Sequence, residues 1–105
     1  GRRGRVQADG PGWLMRAEPS VVRVFRAAME YAIGRPVTQA ELTSLASAGG
    51  QSWVLFCNAL SKKGLRIRFS FQKDRWLVRS RSGTKASGVT LFHAVARMAR
   101  RETQP

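Results

Sequence analysis

Apolar and polar side chains alternate strictly from Leu65 to Phe71. Successive side chains of a strand point to opposite faces, so this pattern predicts a half-buried strand. Its outer face is basic, because it carries Arg66 and Arg68. The inner face would carry four apolar residues: Leu65, Ile67, Phe69 and Phe71. A polar turn follows, and residues 76–79 are predicted to pair back as the second strand of a hairpin.

A helix is predicted on either side of this hairpin. The first extends from Ser20, which can cap its start, to Gly34, which can end it. Seven apolar residues recur at helical spacing and would form its buried side: Val21, Val22, Phe25, Ala28, Met29, Ala32 and Ile33. Thr90 can cap a last helix, whose C-terminal end carries arginines that suit the helix dipole. Residues 81–88, rich in Ser, Gly and Lys, predict a loop before that helix.

Two shorter helices are predicted between the first helix and the hairpin. Thr38 and Glu41 match a capping box, which starts a second helix that ends before the glycine pair 49–50. The glycines allow a sharp turn into a third helix over residues 53–63. Two short helices joined by a tight turn form a helix-turn-helix unit. The sequence therefore predicts a small α+β domain with three helices, a β-hairpin and a C-terminal helix.

The chain of 105 residues has a formal net charge of +13, from 19 Lys and Arg against 6 Asp and Glu. For this length we expect one compact domain, residues 13–105, preceded by a flexible basic arm, residues 1–12, with Arg2, Arg3 and Arg5. The charge excess indicates a polyanionic partner, which is a nucleic acid or an anionic membrane surface. A solvated basic face and contact with an acidic protein are the alternatives.

Nearly half of the positive charge lies around the predicted hairpin. Nine basic residues are found there: Lys62, Lys63, Arg66, Arg68, Lys73, Arg75, Arg79, Arg81 and Lys85. Arg66 and Arg68, with Arg79 as a third candidate, would project from one face and could follow a phosphate strand. A hairpin protected by charge against aggregation would give the same pattern. Trp76 could stack on a base or pack in the core.

Residues 37–42, VTQAEL, followed after the glycine turn by residues 59–65, ALSKKGL, resemble winged helix-turn-helix domains of bacterial transcription regulators. The resemblance covers about residues 20–80 and implies a winged-helix-like fold whose third helix enters the major groove of DNA. The hairpin would be the wing and would contact the backbone or the minor groove. Five residues would face the groove: Ser52, Val54, Leu55, Asn58 and Lys62. Three others would pack inward: Trp53, Cys57 and Leu60.

On that third helix, Asn58 could read adenine and Lys62 could meet phosphate or guanine. Val54, Leu55 and Phe56, however, put an apolar surface where helices that read a groove normally place polar groups. This surface indicates that the helix is covered, by the last helix or by a second copy of the chain, or that it binds a protein groove.

A second, partial resemblance begins at the hairpin. Residues 65–80 continue through SGVTL, residues 87–91, into the last helix. This order is similar to the strand-strand-helix layout of antitoxin-type and integrase arm-type domains. The resemblance implies that the sheet, rather than a helix, presents the arginines.

Neither catalysis nor a metal or other cofactor is predicted. Cys57 is the one cysteine and His93 the one histidine, so the sequence offers no internal disulfide and no Cys/His metal cluster. The acids are scattered, and we expect a binding protein rather than an enzyme. A reducing, cytoplasmic or nucleoid-associated setting is the default expectation. No apolar run approaches the roughly 18 residues of a membrane span.

The leading prediction is a module that binds nucleic acid, with duplex DNA preferred over RNA, as a transcription regulator or an accessory domain of a larger DNA-processing protein. The first alternative is a protein-interaction or assembly module, which would use the apolar Val54 and Leu55 to bind a second copy or another protein. The second alternative is a binder of RNA or single strands that uses the basic hairpin and Trp76.

Overall fold

The computed structural model describes residues 19–103, so the predicted arm with Arg2, Arg3 and Arg5 lies outside the described residues. Over this range the chain forms four helices and one three-stranded antiparallel sheet. In chain order the elements are α1 (Pro19–Ile33), α2 (Gln39–Ser47), α3 (Gly50–Lys62), β1 (Arg66–Ser70), β2 (Arg75–Arg79), β3 (Lys85–Gly88) and α4 (Leu91–Thr103). The predicted α+β class is confirmed, with a winged-helix-like layout of three helices, a hairpin and a C-terminal helix.

Helix α1 buries the side that its apolar spacing predicts, with Phe25 and Met29 in the core. It begins at Pro19, one residue before the predicted cap, so Ser20 lies inside the first turn. Proline suits a first helical position, because the N–H that it lacks would have no partner within the helix. Gly34 follows the helix at φ 87°, a left-handed conformation that glycine adopts without a steric penalty.

The capping box at the start of α2 is confirmed. The Thr38 hydroxyl accepts a hydrogen bond from the Glu41 N–H, and the Glu41 carboxylate accepts one from the Thr38 N–H, each at 3.1 Å. Helix α3 begins at Gly50, three residues before its predicted start. It buries Phe56 in the core, which corrects the prediction that Phe56 lies on the apolar outer surface with Val54 and Leu55. The two predicted short helices are therefore present, and the chain turns between them at Ala48 and Gly49.

The sheet corrects the prediction for residues 81–88, because part of this segment is the third strand and not a loop. The four residues of β3 include no β-branched or aromatic side chain, so strand propensity does not reveal them. Antiparallel pairing with β2 fixes the strand on one edge. On α4, Arg97 donates a hydrogen bond to the Ser87 carbonyl, and Arg101 donates one to the Lys85 carbonyl.

Helix α4 covers one face of the sheet. Val78 and Ala86 lie opposite each other on β2 and β3 and are buried. A Cβ at Gly88 would lie 2.6 Å from the Ala94 nitrogen and 2.6 Å from the His93 Cβ, so strand and helix approach too closely there for a side chain. Helix α1 packs against α4. Among residues 19–103, the other face of the sheet stays exposed, and it carries basic residues.

Candidate nucleic-acid interface

Four cationic side chains are exposed on the uncovered face of the sheet: Arg66, Arg68, Arg79 and Lys85. We call this surface the basic face. Strand pairing places Arg66 opposite Arg79 and Arg79 opposite Lys85, so these three residues form a row across all three strands. Arg68 lies in the next row, opposite Leu77. The alternation in the sequence thus produces a two-dimensional patch of positive charge.

No acidic residue in the strands neutralises this patch, because β1, β2 and β3 contain no Asp or Glu. Asp74 lies in the turn between β1 and β2, with φ 52°. The one ion pair found within residues 19–103 joins Arg35 to Glu41 at 2.7 Å, and it lies among the helices. Like charges directly opposite each other on neighbouring strands are destabilising. The fold therefore keeps the row in place against its own repulsion.

A depression of about 670 Å³ lies on the basic face. The four cations line it together with Lys73 from the turn and Arg101 from α4. The Lys73 N–H donates to the Ser70 hydroxyl at 3.2 Å, which fixes the backbone of the turn. Six cations thus surround one open surface, and they can meet several phosphate groups at once.

Other predicted basic residues lie away from this depression. The Lys63 ammonium is 4.7 Å from the centre of the Tyr31 ring, a cation–π contact. The Arg81 side chain lies against Gly64, where an added Cβ would come within 2.0 Å of the Arg81 Nε. Both side chains therefore make contacts within the protein near the junction of α3 and β1. Arg75 is half-buried at the turn end of β2.

The structure corrects the predicted orientation of α3 at two positions. Ser52, predicted to face a DNA groove, is buried, and its hydroxyl donates to the Leu45 carbonyl. Because α3 begins at Gly50, Ser52 lies in its first turn, within reach of the end of α2. Trp53, predicted to pack inward, is 41% exposed, and its ring centre is 5.9 Å from that of Phe92.

The remaining predicted groove residues are exposed: Val54, Leu55, Asn58 and Lys62. Val54 is 56% and Leu55 46% exposed, and with Trp53 they form what we call the apolar patch. Leu60 packs inward as predicted. Cys57 is half-buried, and burial raises the pKa of its thiol. The outer side of α3 therefore combines the apolar patch with the polar Asn58 and Lys62. Of these residues, Asn58 is the best suited to read a base.

Aromatic side chains gather at the turn end of the hairpin. Trp76 lies opposite Phe69, with ring centres 5.4 Å apart, and it is half-buried against the core. Of the two interpretations of Trp76, packing in the core fits this position. Phe71, predicted to face inward, is instead 89% exposed. Strand β1 ends at Ser70, so its alternation no longer applies to Phe71, and the polar turn that follows was the signal for this end.

Two further polar contacts hold the helices in place. The His93 N–H donates to the Thr90 hydroxyl at 3.1 Å, which confirms the predicted cap, and the His93 Nδ1 lies 2.6 Å from the same oxygen. The Tyr31 hydroxyl donates to the Glu102 carboxylate and ties α1 to α4. Burial raises the pKa of Tyr31, and the hydrogen bond and charge of Glu102 raise it further.

The described part of the chain brings no three His, Cys, Asp or Glu side chains together as ligands for a metal ion. Over the same residues, none of the helices combines the length and the apolar character needed to cross a membrane. No family model, curated protein or solved structure that was compared with the chain matches it. The basic face and the apolar patch are therefore the features from which a function can be argued.

Proposed function

We propose that this protein is a nucleic-acid-binding module, not an enzyme, and that it binds duplex DNA through the basic face. The row of Arg66, Arg79 and Lys85 carries the proposal. Each pair of neighbours in the row disfavours folding by repulsion, and the strands contain no acid that would relieve it. DNA laid across the row would relieve the repulsion, because its phosphates neutralise the cations and release condensed counterions.

Protection of the sheet edges against pairing with another chain explains the charges of the basic face less well than the binding of a polyanion does. Charged residues on an edge strand oppose pairing with another chain, and Arg66 and Arg68 do lie on the edge strand β1. Arg79, however, lies on β2, which is the central strand. A charge on the face of a central strand protects no edge. Binding of a polyanion explains Arg79 together with its neighbours.

A duplex suits the basic face better than a single strand. Proteins that bind single strands stack successive bases on aromatic side chains. The basic face presents Arg66, Arg68, Arg79 and Lys85, whereas Trp76 packs against the core on the other side of the sheet. The three strands together are about 10 Å across, and the major groove of DNA is about 12 Å wide. The sheet can therefore bring its cations to phosphates on both sides of a groove.

The resemblance to strand-strand-helix domains supports the same surface, because it implies that a sheet presents the arginines. In this chain β1 and β2 are followed by a third strand, β3, and then by α4. The resemblance to winged helix-turn-helix domains supports a role in transcription regulation. We propose a cytoplasmic regulator, or an accessory domain of a larger DNA-processing protein.

Fluorescence anisotropy tests this function with duplex DNA, single-stranded DNA and RNA of equal length at two salt concentrations. We expect the duplex to bind most tightly, and its binding to weaken as salt rises. The double substitution Arg66→Ala/Arg68→Ala should lower the affinity for the duplex about tenfold, because two phosphate contacts are lost.

Arg23→Ala/Arg100→Ala is the matched control. It removes the same charge from exposed positions on α1 and α4, and it should change the affinity much less. Failure of the wild-type protein to bind any of the three nucleic acids at low salt would overturn the proposal. Tighter binding of single strands or RNA would assign the basic face to that class instead.

A protein-interaction or assembly function is the second candidate, and the apolar patch favours it. Trp53, Val54 and Leu55 are exposed. Consecutive residues of a helix point about 100° apart, so Val54 lies between the other two around the outer side of α3. Exposed apolar residues that occur singly are normal, whereas contiguous ones mark interaction surfaces. The patch would meet a second copy of the chain or a groove on another protein.

Light scattering over a range of protein concentrations tests the self-association form of this candidate. A dimer that dissociates in the variant Leu55→Glu would support it, because a buried, unpaired carboxylate is costly. Asn58→Ala then separates the candidates for α3: it changes the preference for DNA sequence only if that helix reads bases. If the protein is a monomer at every concentration, the homodimer is excluded.

A further inference from the structure

A groove of about 560 Å³ lies between the end of α1 and the outer side of α3. Its lining includes Ile33 from α1 and five residues on or directly after α3: Leu55, Asn58, Ala59, Lys62 and Lys63. We propose that this groove binds an acidic amphipathic helix of a partner protein. The inference rests on the second candidate function, protein interaction, and names the class of partner. It does not depend on DNA binding by the basic face.

The groove follows one face of α3. Its four residues within that helix have the spacing i, i+3, i+4 and i+7: Leu55, Asn58, Ala59 and Lys62. Residues at this spacing lie along the same side of a helix, here over about two turns or roughly 10 Å. Ile33, the last residue of α1, belongs to the opposite wall. A second helix with apolar residues at the same spacing can lay them into such a groove.

The apolar side chains of the groove are accessible to a partner. Leu55 is 46% exposed, and Ile33 and Ala59 are half-buried. Val54, which is 56% exposed, follows Leu55 around the helix, so the groove continues into the apolar patch. Contiguous exposed apolar surface marks an interaction site. The partner must therefore offer several apolar side chains, and one face of an amphipathic helix supplies them.

The charges beside the groove select an acidic partner. No acid occurs in residues 50–65, whereas two lysines stand at the C-terminal end of α3. Lys63 contacts the Tyr31 ring, and its charge helps to lower the pKa of Glu102. Lys62 is exposed and forms no ion pair within residues 19–103. A carboxylate next to the apolar face of the partner helix would complement Lys62.

A second copy of the chain and DNA both match the groove less well. Each copy carries a net charge of +13, so two copies repel each other. The phosphates of DNA would meet Lys62 but would give Val54 and Leu55 no apolar counterpart. An acidic amphipathic helix matches both the apolar residues and the cation.

The groove and the basic face are separate surfaces. The residues that line the groove differ from all of those that line the depression on the basic face. Helix α4 packs on the sheet, α1 packs on α4, and α3 packs on α1. A partner helix in the groove therefore leaves the basic face free, and the domain would join a partner protein to DNA.

Fluorescence anisotropy with the full chain tests the inference with three labelled peptides of about 18 residues. The first has Leu at the spacing i, i+3, i+4 and i+7, repeated along its length, and Glu and Ala elsewhere. The second replaces every Glu by Lys, and the third keeps Glu but replaces every Leu by Ser. We expect the first peptide to bind and the other two to bind at least about tenfold more weakly.

Two variants locate the binding in the groove. Leu55→Ala should weaken binding of the first peptide roughly tenfold, because an apolar contact at the centre is lost. Its control is Phe71→Ala, which removes a larger exposed apolar side chain outside the groove. Lys62→Glu should weaken binding of the first peptide and strengthen that of the second. Lys73→Glu makes the same charge change on the basic face and should alter both much less.

Urea denaturation shows whether each variant is folded, which we expect because all four positions are exposed. Equal binding of the first and third peptides would overturn the inference, because charge alone would then explain it. So would binding that neither Leu55→Ala nor Lys62→Glu changes, or no binding of the first peptide.

The outcomes distinguish this inference from the functions proposed above. If no peptide binds but light scattering shows a dimer that Leu55→Glu dissociates, the groove belongs to a second copy of the chain. That result would overturn the inference and leave the second candidate function intact. A monomer that binds the first peptide through Leu55 and Lys62 would support the inference, whether or not the basic face binds DNA.

Discussion

The open face of the sheet and the outer side of α3 are both exposed, but they differ in chemistry. The sheet presents four cations and no acid, whereas α3 presents Trp53, Val54 and Leu55. The pattern of its helices resembles that of proteins that read DNA with the third helix, yet four exposed cations lie together on the strands. The comparison teaches that the helix signals in the sequence identify the fold, whereas the distribution of charge identifies the surface that we propose for DNA.

The largest expected effect is on the free energy of unfolding, and it distinguishes the buried side of α3 from its outer side. Phe56 is fully buried, and its ring centre lies 4.8 Å from that of Phe92. Phe56→Ala should lower the free energy of unfolding by ~3–5 kcal/mol, through lost burial and a cavity. Val54→Ala on the outer side should change it by less than ~0.5 kcal/mol. Urea denaturation measures both. A comparable loss of unfolding free energy for Val54→Ala would contradict this difference, because it would show that the outer side of α3 is covered.

The next effect concerns the repulsion within the basic face. Arg79 lies between Arg66 and Lys85, so Arg79→Thr removes two contacts between like charges and adds a good strand former. We expect the free energy of unfolding to rise by ~0.2–1 kcal/mol at low salt, and the gain to shrink at high salt. Arg35→Thr, which removes a cation paired with Glu41, should bring no gain. If Arg79→Thr did not raise the free energy of unfolding at low salt, this would contradict repulsion among Arg66, Arg79 and Lys85.

The smallest expected effect concerns Glu41, whose charge is paired with that of Arg35. Hydrogen bonds from the Arg35 guanidinium and from the Thr38 backbone lower the pKa of Glu41 to about 2 from its ordinary value of 4.5. A lowered pKa means that the carboxylate stabilises the folded state above pH 4.5, and that this contribution is lost as the pH falls towards 2. The melting temperature of the wild-type protein should therefore exceed that of Glu41→Gln at neutral pH, and the difference should vanish near pH 2. A difference that does not change with pH would contradict this assignment.

Much of the fold follows from local chemistry in the sequence. Apolar residues at helical spacing define α1, and a reciprocal pair of hydrogen bonds between Thr38 and Glu41 starts α2. The alternation after Leu65 is sufficient to place Arg66 and Arg68 on one face of a strand. These features depend on residues a few positions apart, so the sequence displays them directly.

The features that the sequence did not predict depend on contacts between distant residues. Strand β3 has a weak strand composition, and pairing with β2 and hydrogen bonds from Arg97 and Arg101 hold it. The row of charge across three strands therefore could not be predicted, because Lys85 was expected in a loop. Ser52 is buried because the end of α2 lies beside it. Phe71 is the exception: it is exposed because β1 ends one residue earlier, and the polar turn that follows was a local signal for that end.

The salt dependence of duplex binding tests the central claim most directly. The slope of log Kobs against log salt concentration reports how many phosphates the protein neutralises, at about 0.9 for each contact in B-form DNA. We expect a steep slope for the wild-type protein. Successive removal of Arg66, Arg68, Arg79 and Lys85 as alanine variants should lower it by about 0.9 at each step, while Arg23→Ala/Arg100→Ala leaves it unchanged. A slope near zero for the wild-type protein, or an equal decrease in the control, would contradict binding through the basic face.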